Sequence, residues 1–361
     1  MEALTPVQRW LCIDRAQAIG GRNGFWVLSD GKVVAGHLGE ILHPVRCQGQ
    51  DLDSNYFVEL IVDDRYGGQG LASELLEHVR EQVQLAQILG MTDAAYAVYK
   101  RRGYREVGKL VPWFRIRDSR SFLSDLVDHG AFLRAEPLLN ATLASPAFPV
   151  IDFGLSFYRR VSRWRSRGDR QGLSVDSSRP DEADLDALWV KARDSHRMAS
   201  VRDSAFIRWR FWNCPLWGYD EFYARDENGL RGYAFAKRYI TPRGLMIGAV
   251  SDLFVAKGDE QAFDALLTAV NDLMDSKGVG IVKLAFSSKW ARSLLLRHGF
   301  LDPARFVAPE RLPGHVLFNL PGVVDLDTLP PFSERWLTRG DSEQDLTDVP
   351  AGSRILSGAQ G

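Results

Sequence analysis

The chain has 361 residues, 45% apolar and 25% charged, enough for two domains at roughly 150 residues each. Its formal net charge of −1 provides no global field to gather nucleic acid or an anionic membrane, and no apolar run reaches the ~20 residues of a membrane span. Cys12, Cys47 and Cys214 stand apart, with no CxxC and no nearby His pair, and "MEALTPVQRWLCIDR" lacks the basic-then-apolar order of a signal peptide. These features argue against a disulfide framework, a metal site or secretion, and the expected setting is the cytoplasm.

"PVQRWLCIDRAQAI" reads as a helix, and "GFWVLSD" and "KVVAGHL" as two strands joined at Ser29-Asp30-Gly31-Lys32, a natural hairpin turn. "YFVELIV" (56–62) is nearly all apolar, the pattern of a strand buried on both faces. "VDDRYGGQG" follows, with Gly67, Gly68 and Gly70 close together. A helix over 71–84 then places Leu71, Leu75, Leu76 and Val79 on one stripe. "LAQILG" is a short strand, and "TDAAYAVYKRRGY" a helix capped by Thr92 or Asp93 and stopped at Gly103. Alternating strands and helices predict an α/β (α+β) domain over 1–140.

A connector over 141–172 carries Arg159, Arg160, Arg163, Arg165 and Arg167, read as a solvated face. A second unit over 173–335 opens at "LSVDSSRPDEADLDALW". It continues through the strands "DEFYARD", "LRGYAFAKRYI" and "LMIGAVSDLFVA", the helix "AFDALLTAVNDLMDSKG", the strand "GIVKLAFSS" and the helix "KWARSLLLRHGF". Residues 336–361 read as a frayed tail.

The two units repeat. With Gly103 set against Gly299, Ala95 meets Ala291, Tyr99 meets Leu295 and Tyr104 meets Phe300. "VELIV" meets "SDLFV", and Leu75–Leu76 meet Leu266–Leu267. The differences are chemical. "YGGQG" faces "KGDEQ", so Asp259 and Gln261 stand where the first unit has Gly68 and Gly70. A phosphate needs backbone N–H groups at a helix N-terminus and glycines that let it approach; acids there repel it. One unit is equipped for an anion and the other is not.

These residues resemble the GNAT superfamily of acyl-coenzyme A-dependent N-acetyltransferases, whose signature Q/R-x-x-G-x-G/A follows a strand and opens a helix. Here Gly67 takes the first position, where Gln or Arg is usual, with Gly70 and Ala72 at the small positions; a register starting at Arg65 also fits the letters. "AAYAVYKRRGY" is similar to the family's late helix, which carries a tyrosine four residues before the glycine. The resemblance implies two GNAT-like domains in tandem, each a mixed, largely antiparallel sheet flanked by helices, the second degenerate. It implies acetyl-CoA, or another short acyl-CoA, as cosubstrate and a small-molecule primary amine as acceptor. Coenzyme contacts would come from Leu60, Ile61 and Val62 on the strand and from Gly67, Gly68, Gln69, Gly70, Leu71 and Ala72. Tyr99 would be the acid for the departing thiolate. Glu59, the ionisable residue within the strand, is the candidate base, with His37, Glu40 and His43 less specific.

The stretch "FIRWRFWNCPLWGYDEFYARD" is either core or, through Arg208, Trp209, Arg210, Trp212, Trp217 and Tyr219, the lining of a sugar or nucleotide pocket. "RWLTRGDSEQDL" resembles the end of tandem GNAT proteins of surface-polysaccharide biosynthesis, which suggests an amino sugar as acceptor. A Fem-type aminoacyl-tRNA-dependent transferase and a non-catalytic acyl-CoA sensor are the competing expectations.

Overall fold

The computed structural model describes residues 4–22, 24–120, 122–123, 148–165, 172–305, 314–319, 326–347 and 349–356. The first helix runs from Pro6 to Ala18 through a π-helical stretch, Arg9–Asp14. β1 (Phe25–Ser29) and β2 (Val34–Leu42) form the expected hairpin, and the Asp30 carboxylate accepts the N–H groups of Lys32 and Val33. Two short strands the sequence did not reveal follow, β3 (Val45–Cys47) and β4 (Gln50–Leu52). β5 (Ser54–Val62) runs antiparallel to β2, and β6 (Leu85–Leu89) runs parallel to β5. The Leu71–Arg80 helix makes the crossover between β5 and β6 and buries Leu75, Leu76 and Val79. The Asp93–Arg101 helix starts at a Thr92 cap that accepts the Ala95 N–H and stops before Gly103, φ 79°. β7 (Arg105–Lys109) and β8 (Trp113–Ile116) come next.

Beyond a helix at Phe148–Arg165 come β9 (Ser174–Asp176), β10 (Met198–Ser200), β11 (Asp220–Asp226), β12 (Gly229–Ile240) and β13 (Met246–Val255). The Glu260–Ser276 helix crosses over to β14 (Ile281–Leu284), which lies parallel to β13. β15 (His315–Asn319), β16 (Arg335–Trp336) and β17 (Arg354–Leu356) complete the strands described. Arg167 lies outside the described residues.

The sheets draw strands from both ends of the chain. One has the order β1-β2-β5-β6-β15-β7, the other β8-β14-β13-β12-β11-β9 with β17 on β12. Thus β15 is inserted between β6 and β7 of the first sheet, and β8 pairs with β14 of the second, each antiparallel. β15 is central, and Val316, Leu317 and Phe318 are buried as a strand covered on both faces requires. A small sheet, β16-β10-β3-β4, spans the two.

The halves also meet through two π-helical stretches, Arg9–Asp14 and Arg208–Trp212. The Trp10 indole N–H donates to the Trp209 carbonyl at 3.0 Å, and the Trp209 indole N–H donates to the Trp10 carbonyl at 2.9 Å. Trp209, Arg210 and Tyr219 are therefore core, and Arg208 pairs with Glu182 at the surface. The core alternative therefore holds for Trp209, Arg210 and Tyr219, while Trp212, donating to the Tyr223 hydroxyl, and Trp217 are half-buried.

The frayed-tail expectation is corrected. Trp336, Leu337, Thr338, Asp341, Ser342 and Asp345 are buried. The segment is polar in composition but is held by buried partners, described below.

Leu317 is fully buried in a cluster with Leu75, Leu76 and Tyr99. Leu317→Ala is expected to destabilise by roughly 2–5 kcal/mol, seen as a lower urea midpoint, although the residue is remote in sequence from the sheet it supports.

Candidate acyl-transfer site

β5 and β6 pair only through Ser54–Tyr56 against Leu85–Gln87. From Phe57 onward β5 has no partner on that side among the described residues, so the two parallel strands splay. The register against β2 shifts between His37 and Gly39, and there Glu59 takes φ 52°. A side chain at positive φ is uncommon, and such a bulge bends and twists the strand that carries it. Leu60 and Val62, half-buried, and Ile61, exposed, lie on the splayed arm beyond the bulge.

At the end of this arm Asp63 accepts the Arg65 N–H and pairs with its guanidinium at 2.7 Å. The Gly67 N–H turns back to the Asp64 carbonyl at 3.0 Å. Gly68 and Gly70 have φ 76° and 80°, a backbone that side chains rarely adopt, and no atom lies within 4 Å of where a Cβ would stand. Gly70 is the N-cap of the Leu71–Arg80 helix and offers no side-chain cap. The first N–H groups of a helix have no intrahelical acceptor, so those of Leu71 and Ala72 open outward beside exposed Gln69. The helix dipole adds positive potential at this mouth.

The second sheet repeats the splay, with β13 and β14 paired only through Ile247–Ala249 and Ile281–Lys283. Its helix mouth is closed. Asp259 caps the helix by accepting the Ala262 N–H at 3.0 Å and pairs with Arg231 at 2.7 Å. Trp336 packs against Phe254 of β13 and Phe286 just past β14, with ring centroids 6.0 and 5.1 Å away. The Ser287 N–H donates to the Leu337 carbonyl, and the Ser287 hydroxyl to that of Arg335. The protein's own chain fills the second wedge.

Tyr99 is buried beside Tyr104, their rings 5.3 Å apart. Burial, with the charge of Glu343 added, pushes its phenol well above the usual value, so the proton is present at neutral pH. Glu59 is exposed and accepts the Gln8 side-chain amide at 2.6 Å. Glu40 is buried among Arg22, Trp26 and Asn55. His37 stacks on Phe25. His43 is buried, and its Nε2–H donates to Asp341 at 3.1 Å. Burial pushes the His43 pKa down to about 4, against the pull of Asp341.

Sequence reasoning missed Glu343. Its residue is half-buried, but Oε2 is buried and has no hydrogen-bond partner among the described residues. Burial first, and then Glu59, push its carboxyl up to about 8, while Arg210 and the Gln344 side chain oppose this. The segment carrying it is fixed. Arg202 donates to Asp341 at 2.8 Å and to Asp252 at 3.1 Å; Arg210 donates to the Gly340 and Ser342 carbonyls at 2.9 and 2.8 Å. Asp345 pairs with Lys237 at 2.6 Å and accepts the Tyr219 hydroxyl at 2.7 Å. A Cβ added to Gly90, just past β6, would stand 2.0 Å from the Gln344 amide, so Gln344 lies directly on the end of that strand. The signal was the charge pattern of "RGDSEQDL", which has no helical or strand period.

A splayed parallel pair leading to an uncapped, glycine-lined helix mouth marks an α/β protein whose first sheet opens beside a free helix N-terminus. Residues 21–106 match the family model described as Acetyltransferase (GNAT) domain, so this region of the chain is similar to the GNAT superfamily. No curated protein matches the sequence. Among solved structures, a conserved protein of Enterococcus faecalis V583 described as a probable N-acyltransferase is 12% identical with a TM-score of 0.50. The match covers 85% of this chain but only 64% of that one. A GCN5-related N-acetyltransferase from Anabaena variabilis ATCC 29413 is 12% identical with a TM-score of 0.54, covering 98% of this chain and 82% of that one. At this identity the likeness is one of fold.

Among the described residues no helix is long and apolar enough to cross a membrane, and no cluster of three or more metal-ligating side chains occurs. Cys12, Cys47 and Cys214 are free thiols.

Glu343 has a consequence for stability. Between 4.5 and about 8 the folded protein keeps a proton that the unfolded chain releases, so folding weakens as pH rises through that window. Relative to wild type, Glu343→Gln is expected to gain Tm between those pH values and hold the gain above them; equal Tm values at pH 5 and pH 9 would contradict this.

Proposed function

We propose that this protein transfers an acetyl or other short acyl group from acyl-CoA to the primary amine of a small molecule. The observation that carries the reading is the contrast between the two wedges: the first ends on an uncapped glycine mouth, the second on Asp259 and Trp336. The second half makes its strand-to-helix turn with a single positive-φ glycine, Gly258 (φ 96°), and an aspartate at the cap, where the first has Gly68 and, at the cap itself, Gly70. The residues of the first wedge fit the coenzyme. Gly68–Ala72 would hold its pyrophosphate at the helix N-terminus, with the register that places Gly70 at the cap and Ala72 in the first turn. The splayed arm at Leu60–Val62 would receive the extended pantetheine chain and present backbone N–H groups to the acyl oxygen, where charge develops in the transition state. Tyr99, protonated at neutral pH, would donate to the departing sulfur, and Glu59 borders the same wedge. We take the first domain as 1–140 and the second as 173–335, the first sheet completed by β15 and the second by β8 and β17 from outside those limits. An amino sugar, suggested by the resemblance of "RWLTRGDSEQDL", is one acceptor to test; Trp209, Arg210 and Tyr219 of the aromatic stretch are core and lend it no support.

The test is titration with acetyl-CoA, then thiol release across a panel of amino sugars, polyamines and amino acids. Gly70→Val places a Cβ at φ 80°, a strain of roughly 1–2 kcal/mol, and is expected to weaken acetyl-CoA binding about tenfold or more. Asp259→Ala in the second half should leave binding unchanged. Tyr99→Phe should lower kcat by about 10²-fold or more without changing the Kd for acetyl-CoA. No binding of any acyl-CoA would sink the reading; binding without thiol release on any amine would favour a sensor.

A further inference from the structure

The acyl-transfer wedge receives a third element besides β5 and the Asp93–Arg101 helix: the segment 338–345, most of whose partners belong to the second half, with His43 of the first half also donating to Asp341. Thr338 and Asp341 are fixed by Arg202 and Asp252, Gly340 and Ser342 by Arg210, and Asp345 by Lys237 and Tyr219. Between these anchors stand Glu343 and Gln344. Gln344 rests on Gly90 at the end of β6. Glu343 is close enough for its charge to act on Tyr99, on Tyr56 of β5 and on Cys12 of the first helix, and Glu59 acts on it in turn. Arg210, on the Arg208–Trp212 stretch, also faces it and opposes Glu59.

Two carboxylates therefore border the wedge. Glu59 is exposed and already accepts the Gln8 amide. Glu343 keeps one oxygen buried and unpartnered among the described residues, although a buried acceptor left without a donor is costly; Arg210 nearby gives Nε and Nη2 to backbone carbonyls and leaves its Nη1 buried and unpartnered as well. We propose that Glu343, rather than Glu59, accepts the proton of the attacking amine, so that the C-terminal segment supplies the base of the first half's reaction. This rests on the transferase reading above. The free Oε2 is where an ammonium hydrogen would bind. Glu343 takes one proton from the ammonium, and the neutral nitrogen attacks the thioester carbon. The N–C bond forms and the C–S bond breaks; the nitrogen loses a second proton, and the thiolate gains one by way of Tyr99. The proton left on Glu343 returns to water, giving amide, thiol and one released proton. A carboxyl that ionises near pH 8 is matched to this work, since a general base performs best with its pKa near the working pH.

The experiment compares wild type, Glu343→Gln and Glu59→Gln on the best amine of the panel. Wild-type kcat/KM is expected to rise with pH through a limb near 8. Glu343→Gln should lower kcat/KM by about 10²-fold or more, remove that limb and leave the Kd for acetyl-CoA within about twofold. Glu59→Gln should retain the limb. In the free protein, infrared titration should show a carboxyl C=O band lost near pH 8 in wild type and absent from Glu343→Gln. If Glu343→Gln fails to fold, wild type alone decides with amines of different pKa: a limb fixed near 8 supports the proposal, and one that follows the amine overturns it. Retention of the limb and of turnover in folded Glu343→Gln, or loss of the limb only in Glu59→Gln, overturns it too. A wild type that binds no acyl-CoA or releases no thiol is a failure of the transferase reading, and the base assignment falls with it.

Discussion

The candidate site depends on one buried arginine. Arg202 lies fully buried between the carboxylates of Asp252, on β13, and Asp341, on the C-terminal segment. Two acids and a cation withdrawn from water are expensive unless geometry and further hydrogen bonds satisfy every atom. Here Tyr233 donates to Asp252, Thr338 donates to both acids, and His43 donates to Asp341. Burial opposes the charge of Asp341, yet Arg202 and these donors hold its carboxyl below the usual range. Such a cluster contributes little net stability compared with apolar packing; what it contributes is position. A polar segment without helical or strand period has few other ways to be fixed to within a hydrogen bond.

The two sheets show how one architecture reaches opposite ends. Both contain a parallel pair that separates after three residue pairs, and both place a helix mouth at the end of the separated arm. In the first, glycine at the cap leaves backbone N–H groups to face outward. In the second, one aspartate caps the helix by accepting the Ala262 N–H, and one tryptophan fills the wedge. Freed from holding a ligand, the second sheet serves as the frame on which the terminal segment is mounted. The interlocked tryptophans at positions 10 and 209 join that frame to the first half through paired indole-to-carbonyl bonds.

How much of this the sequence reveals depends on how local the determinant is. The glycine loop, the Thr92 cap, the Gly103 stop and the stripe of Leu75, Leu76 and Val79 all act within a few residues, and spacing alone exposes them. Which strand lies beside which is not local. "HVLFN" is a five-residue apolar run whose place between β6 and β7 is decided by partners some two hundred residues away. The aromatic-arginine stretch fits a pocket wall or a core equally well by composition, and only the location of its hydrogen-bond partners separates the two. Glu343 is least legible. An acid in a polar run looks like solvent-facing surface, and its burial follows from anchors at 202, 210, 237 and 252 that share no motif with it.

The exchange of β8 and β15 also sets an order in time. Domains made N-terminus first usually fold as they emerge, but here the first sheet must wait. Until residues 315–319 leave the ribosome, β6 and β7 have nothing between them, and β6 stands as an open parallel edge, a template for mispairing with other chains. β8, made early, has no partner until β14 is made. The first sheet therefore closes only once residues 315–319 are made, after β14 has already given β8 its partner.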